Sequence, residues 1–467
     1  MLQLSARSIT TLILTIFTYY LVKWTYNAFF HKLSKIPGPL SWRASRLPFI
    51  KSFLQGTIIH DIERLHERYG PILQIAPDEL TFAHPDAWND ILQARPSHQQ
   101  FPKDPQWWQH AGPPSLISTL DPQNHARMRK TLAPGFTERA LREQEPILLQ
   151  YVNLLIEGLR GKIIANKKEG AGGTVINDSE FHPWIAMLFN SVKGASFVSA
   201  AKCIPPRLKK MQNNHFKFIA NKVGRRMNWE AERSDIIGHA LKETKEGKGM
   251  SRDEIDSTFA IMATAGSETT ATVLGGTINY LANNPDKCKL LAQEIRSSFK
   301  SKIKITMVKV RDLKYLNAVI NEALRLCPPV PWILPRLVPS AGDIVCGTWL
   351  PGGTRVSIQA YSLHRNPSCF HAASSFIPER WLAENSENMD SPFFNDRRDA
   401  VQTFSVGPQA CMGKGLAWAE MQLILAKFFW NFDMSAVEGE KLRWEDLRTF
   451  LLVEKRPIRV VLKVRAS

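Results

Sequence analysis

The sequence lacks the features of small disulfide-bonded proteins and of common nucleic-acid modules. Its six cysteines include no CxxC pair, and their spacing indicates no disulfide framework. We find no zinc-finger spacing, no arginine-rich arm and no internal repeat. These absences argue against a secreted fold held together by disulfides. They are typical of a globular domain that faces a reducing compartment.

The chain of 467 residues is long enough for a large core and carries a net charge of +17. Such a charge favours an anionic partner, which can be a nucleic acid, anionic lipid or an acidic protein. Without a nucleic-acid module, lipid or an acidic protein is the better interpretation. A basic surface that is merely solvated remains the alternative.

The N-terminus reads as a membrane anchor. Residues 8–22 are uncharged and rich in Ile, Leu, Phe and Tyr. They number fewer than the ~20 that cross a bilayer, so the span must continue past Lys23, which would snorkel. No small-residue cleavage site supports the alternative of a signal peptide. Lysines follow the segment, which predicts a cytosolic body. We therefore predict a single-pass anchor and linker over 1–35 and one large globular domain over 36–467.

Hydrophobic periodicity predicts a mainly α fold with small β sheets. The predicted helices cover 58–69, 251–283, 287–299 and 313–326. Short strands are predicted at 72–76 and 80–83, and further β structure over 330–360. The proline- and aromatic-rich residues 94–118 read as a long loop.

Cys411 lies in the run FSVGPQACMG, which precedes a helical segment. Free backbone N–H groups and the helix dipole at a helix start favour a thiolate. A thiolate can ligate a haem iron. For a lone cysteine, a buried structural role is the simpler interpretation. However, Phe404 seven residues before Cys411, with Gly407 and Gly413 around it, resembles the haem-binding signature of the cytochrome P450 family.

Residues 265–270, AGSETT, lie in the middle of the long predicted helix. Threonine hydroxyls there can bond back to carbonyl groups, and Gly266 leaves space beside the backbone. Helix packing is one interpretation and a groove for dioxygen is the other. The run resembles the oxygen-activation motif of the family. That resemblance implies that Thr269 assists oxygen activation and that Glu268 relays protons.

Glu322 and Arg325 form an i,i+3 pair that periodicity alone places on a solvated face. The pair resembles the ExxR motif of the family. The resemblance implies instead that both charges are buried with Arg380 of the later segment PERW. Their implied role is structural, because they would hold the core that seats the haem.

Further basic residues match family positions that bind haem propionates, namely His125, Arg129 and Arg336. Each alone would be an ordinary surface base, although arginine suits carboxylates because its fork can bind both oxygens. The sequence departs from the family at Gln409, where Arg or His is usual. It also looks short over 162–183, where relatives carry an extra helix.

The resemblance, which is closest to microsomal fungal members, implies a haem-thiolate monooxygenase with Cys411 as the iron ligand. It would oxidise an apolar small molecule in secondary-metabolite biosynthesis. Electrons would come from NADPH through a flavoprotein reductase, at the endoplasmic reticulum membrane. The predicted pocket draws on 101–117, 184–220, 259–266, 331–334 and Phe450. The alternatives are an isomerase or dehydratase of the same fold, and a membrane-anchored protein that has lost activity.

Overall fold

The fold is described from a computed structural model of the chain. It describes residues 6–94, 96, 98–108, 112–168, 174–175, 206–229, 235–238, 240 and 249–465. The predicted pocket residues 184–205 and most of the segment 162–183 that was expected to be short (169–173 and 176–183) lie outside this set, as does Cys203. The cysteines within the described ranges are all free, as their spacing predicted.

Helices dominate the fold. In chain order they are α1 (Ala6–Phe29), α2 (Leu40–Ala44), α3 (Leu47–Gln55), α4 (Ile58–Tyr69), α5 (Ala87–Leu92), α6 (Pro105–Trp108), α7 (Pro122–Leu132), α8 (Glu138–Lys168), α9 (Pro206–Met227), α10 (Arg252–Asn283), α11 (Pro285–Ser298), α12 (Met307–Val310), α13 (Lys314–Leu326), α14 (Ala360–His364), α15 (Ala383–Ser386) and α16 (Lys414–Asn431). The segment predicted as a long loop, 94–118, contains the short helix α6.

The strands are short and form small sheets. They are β1 (Ile72–Ala76), β2 (Glu79–Phe82), β3 (Thr174–Val175), β4 (Ile333–Leu337), β5 (Asp343–Val345), β6 (Thr348–Leu350), β7 (Arg355–Ile358), β8 (Phe432–Ala436), β9 (Thr449–Phe450), β10 (Leu452–Val453) and β11 (Val460–Val464). One sheet has the order β1-β2-β7-β4 and another β3-β11-β8, whereas β5–β6 and β9–β10 are two-stranded. The predicted mainly α fold with small sheets is confirmed.

Local sequence explains the long central helix α10. The Ser251 hydroxyl accepts a hydrogen bond from the Glu254 backbone N–H, and the Glu254 carboxylate accepts one from the Ser251 N–H. This capping box satisfies donors that a helix start leaves free. Near the other end, a Cβ at Gly276 would lie 2.3 Å from the Cys327 sulfur. The glycine therefore allows α13, which ends beside Cys327, to pack closely against α10.

The main hydrophobic core lies among α8, α10, α11, α13 and α16. The amphipathic helix α13 turns Leu316, Val319 and Ile320 inward, and all three are fully buried. This packing places α16, the helix that follows Cys411, beside α10. The cysteine loop and the AGSETT run are thus held on neighbouring elements.

The N-terminal helix α1 exposes a row of large apolar side chains, including Leu12, Ile13 and Phe17. Its C-terminal end is attached to the body of the protein. The Asn27 side chain donates to the Ala44 carbonyl at 2.9 Å, and Arg43 donates to the Ala28 carbonyl at 2.6 Å. In the part of the chain that is described, no helix combines the length and apolar character needed to span a bilayer.

Candidate active site

Cys411 ends a tight loop just before α16. Its backbone N–H donates to the Phe404 carbonyl at 2.8 Å, which closes the loop on itself. Gly407 adopts φ 77°, and a Cβ there would lie 2.1 Å from the Leu92 carbonyl oxygen. The residue four before the cysteine must therefore be glycine. Gly413 has no such constraint, because its Cβ would meet only the Cys411 sulfur at an ordinary 3.9 Å.

The Cys411 side chain is exposed on one side. Elsewhere protein surrounds the sulfur, and burial raises the pKa of the thiol above its ordinary value. Backbone N–H groups of Gly413 and Lys414 and the charge of Arg129 lower this pKa without offsetting the burial. The predicted effect of the helix start is present, because these N–H groups favour the thiolate, but desolvation outweighs it in the free side chain. Coordination to a metal would remove the proton outright.

Basic side chains converge on the residues just before Cys411. Arg129, on α7, donates to the Ala410 carbonyl at 2.7 Å. Arg336, on β4, donates to the Gln409 side-chain oxygen at 2.8 Å. The structure thus brings two of the predicted propionate-binding residues to the cysteine loop. Gln409, where the family usually has a base, orients Arg336 instead.

Lys103 belongs to the same group, and sequence reasoning missed it. Its backbone pairs with that of Arg336 in an isolated antiparallel bridge, so the two side chains start as cross-strand neighbours. The ammonium donates to the carbonyls of Ile117 and Thr119 at 2.5 and 3.0 Å. Trp108 stacks against both cations, with its ring centroid 5.0 Å from Lys103 Nζ and 5.4 Å from Arg336 Cζ.

We call Lys103, His125, Arg129 and Arg336 the basic cluster. Burial lowers the pKa of Lys103 to about 7, with Arg336 adding to the effect. Burial lowers the pKa of His125 to about 4, helped by the three cations around it. Arg336 is also buried, its pKa falls to about 10, and its Nε has no hydrogen-bond partner.

Among the described residues, no carboxylate forms an ion pair with any member of the basic cluster. Buried bases are usually paired, because an uncompensated charge in a dry site costs free energy. The cluster is therefore suited to an anion. Because Arg129 and Arg336 contact residues 410 and 409, that anion would lie beside the cysteine loop.

The middle of α10 has the open, hydroxyl-rich character that the sequence predicted. A Cβ at Gly266 would have no neighbour within 4 Å. The hydroxyls of Ser267, Thr269 and Thr272 each donate back to the carbonyl four residues earlier, at 2.8, 2.6 and 2.8 Å. Such bonds are typical of threonine and serine within helices. Thr269 is half-buried beside the exposed Gly266.

Glu268 is buried, and its carboxylate does not lie free beside Thr269. It accepts a hydrogen bond at 2.6 Å from Lys455, a residue near the C-terminus. No sequence signal pointed to this lysine. Glu268 and Thr269 are therefore adjacent on α10, as predicted, but the acid is already occupied by a cation.

The predicted buried triad is present. The Glu322 carboxylate accepts from Arg325 Nη2 at 2.7 Å and from Arg380 Nε at 3.2 Å, and all three side chains are fully buried. Burial raises the pKa of Glu322, but the two guanidinium groups lower it more, so the net pKa lies below its ordinary value. The solvated pair that periodicity alone suggested is wrong, because residues 364–396 cover this face of α13.

The Phe450 side chain is fully buried. It packs at Gly56 and against Arg448, whose guanidinium carbon is 5.6 Å from the ring centroid. Its place in the substrate pocket stays a prediction. The turn of the β9–β10 hairpin is made by the next residue, Leu451, which adopts φ 74°.

Comparison with known proteins decides the family. The family model described as Cytochrome P450 matches residues 181–462. The cytochrome P450 monooxygenase lcsI of Purpureocillium lilacinum is 36% identical over 95% of this chain and 92% of its own. The chain belongs to the cytochrome P450 family. The predicted resemblance is confirmed.

Other similar cytochrome P450 proteins are also fungal enzymes. The monooxygenase astA of Talaromyces wortmannii is 35% identical over 96% of each chain. Averantin hydroxylase of Dothistroma septosporum is 36% identical over 95% of this chain and 90% of its own. The chain is accordingly a haem-dependent monooxygenase of the fungal secondary-metabolite type, and such enzymes receive electrons from NADPH through a reductase.

The residues present fit a haem. A haem carries two propionates, and the basic cluster offers buried bases that lack carboxylate partners. The thiol of Cys411 has its exposed side available for iron. The orphaned Nε of Arg336 is the clearest single indication that this cluster is built for a further acceptor.

Proposed function

We propose that this cytochrome P450 is a membrane-associated enzyme that hydroxylates or otherwise oxidises an apolar small molecule of secondary metabolism. The observation that carries the proposal is the exposed Cys411 thiol beside a buried basic cluster with no described carboxylate partner. Haem bound there would supply the chemistry that activates dioxygen. The remaining roles belong to the side chains of the protein.

Cys411 is the proposed iron ligand, and the basic cluster holds the propionates. Arg129 and Arg336 are fixed to the cysteine loop through Ala410 and Gln409, so ligand and cluster keep a constant separation. Phe404 closes the loop through its carbonyl, and Gly413 ends it before α16. Gln409 thus supports the site by orienting a base, although it carries no charge of its own.

Thr269 and Glu268 are the proposed proton-handling pair. The Thr269 hydroxyl can turn from the Ala265 carbonyl, to which it donates at 2.6 Å, toward the open side of α10 at Gly266. Glu268 is the adjacent acid. General acid help depends first on reach, and Glu268 and Thr269 lie two and three residues after the open position Gly266.

The similar proteins indicate the general class of substrate. One relative is named as the hydroxylase of averantin. We propose by analogy an apolar substrate with an unactivated C–H bond. Phe450 remains the proposed contact from the C-terminal segment.

Location and partner are proposed from the N-terminus and the charge. The exposed apolar face of α1 would lie in the endoplasmic reticulum membrane, with the body in the cytosol. The net charge of +17 suits docking of an acidic flavoprotein reductase.

Spectroscopy of purified protein tests the proposal. The reduced, carbon-monoxide-bound protein should show the Soret band of thiolate-ligated haem, and Cys411→Ala should abolish haem binding. With the reductase, Thr269→Ala should keep haem but convert more of the consumed NADPH into hydrogen peroxide. Absence of haem uptake by the unmodified protein would contradict every enzymatic reading. Haem uptake with conversion of substrate but no NADPH use would instead identify the isomerase or dehydratase alternative.

A further inference from the structure

The C-terminal segment contributes a buried cation to the middle of α10. Lys455 lies two residues after β10, and its ammonium donates to Glu268 Oε2 at 2.6 Å. It also donates to the Thr272 hydroxyl at 3.2 Å, and Thr272 donates to the Glu268 carbonyl at 2.8 Å. One ammonium group therefore holds an acid and the hydroxyl one helical turn beyond it.

Both charges are largely removed from water. The Lys455 side chain is 13% exposed and that of Glu268 is 4% exposed. Among the described residues, no second cation contacts the Glu268 carboxylate, and no second carboxylate contacts Lys455. Loss of either partner would leave an uncompensated charge in a dry site, so the position of each depends on the other.

Lys455 is itself held by the β9–β10 hairpin. The Glu454 N–H donates to the Arg448 carbonyl at 2.8 Å, and the two side chains form an ion pair at 2.6 Å. The base of the hairpin is tied to the body by the Thr449 N–H, which donates to the Gly56 carbonyl at 2.8 Å. The lysine thus reaches α10 from a fixed structure and not from a free tail.

We propose that Lys455 is a positioning residue for the oxidation reaction. It holds the carboxylate of Glu268, the residue that directly precedes Thr269 in α10, close to Thr272, and it thereby sets how efficiently protons reach the oxygen site. Lys455 contacts neither Cys411 nor any member of the basic cluster, so it acts through Glu268. The inference rests on the proposed proton-handling role of Glu268.

The test compares four variants of the full-length, haem-loaded protein with reductase. They are Lys455→Met, Lys455→Arg, Glu268→Gln and the double variant Lys455→Met/Glu268→Gln. Arg456→Met is the matched control, since Arg456 is adjacent, basic and exposed. Haem content, the reduced carbon-monoxide spectrum and hydrogen peroxide released per NADPH are measured for each. Amide hydrogen exchange of 268–272 and 454–459 provides a readout that is independent of turnover.

We expect Lys455→Met to keep haem and to raise the peroxide released per NADPH by about fivefold. Exchange should increase in 268–272 and 454–459. Lys455→Arg should restore most of the coupling, because the charge is kept. The double variant should match Glu268→Gln, because a residue that acts only through Glu268 adds nothing once that carboxylate is gone. Arg456→Met should behave as the unmodified protein.

Different failures have different meanings. Normal coupling in Glu268→Gln would overturn the role of Glu268 and the inference with it. Raised peroxide release in Glu268→Gln with normal coupling in Lys455→Met would overturn the inference alone. The inference would also be overturned if the double variant released more peroxide per NADPH than either single variant. Equal peroxide release by Lys455→Arg and Lys455→Met would overturn it as well. Should Lys455→Met lose haem, Lys455→Gln is tested on the same criteria.

Discussion

Lys103 shows how strongly one buried charge depends on its surroundings. Its pKa lies near 7, because burial and Arg336 both oppose the ammonium form. A carboxylate placed against it would favour the charged form and raise that pKa. Binding of a propionate above pH 7 must then be accompanied by uptake of a proton.

We predict that the affinity of the haem-free protein for haem, divided by that of Lys103→Met, falls as the pH rises from 7 to 9. Proton uptake by Lys103 has this sign, because higher pH opposes a step that binds protons, and the proton that Cys411 loses on ligation is common to both proteins. Lys103→Met should bind haem more weakly at pH 7, and the difference in affinity should shrink toward pH 9. Absorbance titrations with haem at a series of pH values measure both quantities.

The control for this prediction is Lys130→Met. Lys130 is exposed and follows Arg129 on α7, so it carries the same charge at nearly the same place in the chain. Replacement of Lys130 should change neither the affinity for haem nor the dependence of that affinity on pH. Equal behaviour of the Lys103 and Lys130 variants would refute the assignment of Lys103 to the basic cluster.

Single residues differ in how far the sequence predicts them. Cys411 is found because it is a rare residue with glycines at fixed offsets, and Gly407 turns out to be required by the Leu92 carbonyl. Lys103 is not found, because its partner in the backbone pairing is residue 336. Lys455 is likewise far from Glu268 along the chain. Contacts of this range leave no local pattern.

At the scale of elements, α13 depends on its buried triad. Glu322→Gln removes the negative charge that two buried guanidinium groups share, which leaves Arg325 without a carboxylate partner among the described residues and Arg380 with Asp396 alone. We predict a loss of about 3–5 kcal/mol in the free energy of unfolding, the usual cost of breaking a buried ion pair. Denaturant titrations followed by circular dichroism measure it.

Glu440→Gln serves as the comparison for that experiment. Glu440 pairs with Arg459 at 2.7 Å, but both side chains are about half exposed, 43% and 48%. An exposed pair contributes about 1 kcal/mol or less. A similar loss in both variants would contradict the structural role of the triad.

Elements also show where periodicity succeeds and where it fails. The helix predicted over 58–69 and the strand over 72–76 match α4 and β1. The long central helix was also placed to within a residue, because its capping box is local. The same periodicity put Glu322 and Arg325 in solvent, since the apolar stripe of α13 passes beside them. The two charges are buried only because residues 364–396 pack over them, and the sequence of α13 alone does not predict that packing.

At the scale of the whole molecule, buried histidines make the haem-free fold sensitive to acid. Burial lowers the pKa of His66 to about 4 and of His364 to about 3, and His125 also lies near 4. The unfolded chain takes up these protons near pH 6.5, but the native state does not. The stability that these neutral histidines contribute is therefore fully present above pH 6.5 and is lost as the pH drops toward 4.

We predict that each of these histidines contributes up to about 1.4 kcal/mol per pH unit to this loss. His66→Gln should reduce the dependence of the unfolding free energy on pH by the contribution of one histidine. The fold itself should tolerate the change, because glutamine can still donate to the Gly70 carbonyl that His66 contacts. Urea unfolding between pH 7 and 4.5 measures the slope. An unchanged slope in the variant would show that acid acts elsewhere.

The N-terminal helix gives a second prediction at this scale. Deletion of residues 1–24 removes most of the exposed apolar row but keeps Asn27 and Ala28, whose contacts fasten the helix end to α2. We expect the truncated protein to move from the membrane pellet to the supernatant after centrifugation, with its carbon-monoxide spectrum unchanged. Continued sedimentation with membranes would assign attachment to another surface.

The basic cluster has a consequence for how cells accumulate this protein. Three buried bases and the half-buried Arg129 lie close together, and their mutual repulsion is relieved only when a dianion binds. A ligand that binds only the native state adds stability that grows with the logarithm of its free concentration. A newly synthesised chain in a porphyrin-starved cell would therefore open more often and be degraded sooner. Cofactor biosynthesis would then control the abundance of the protein as well as its turnover.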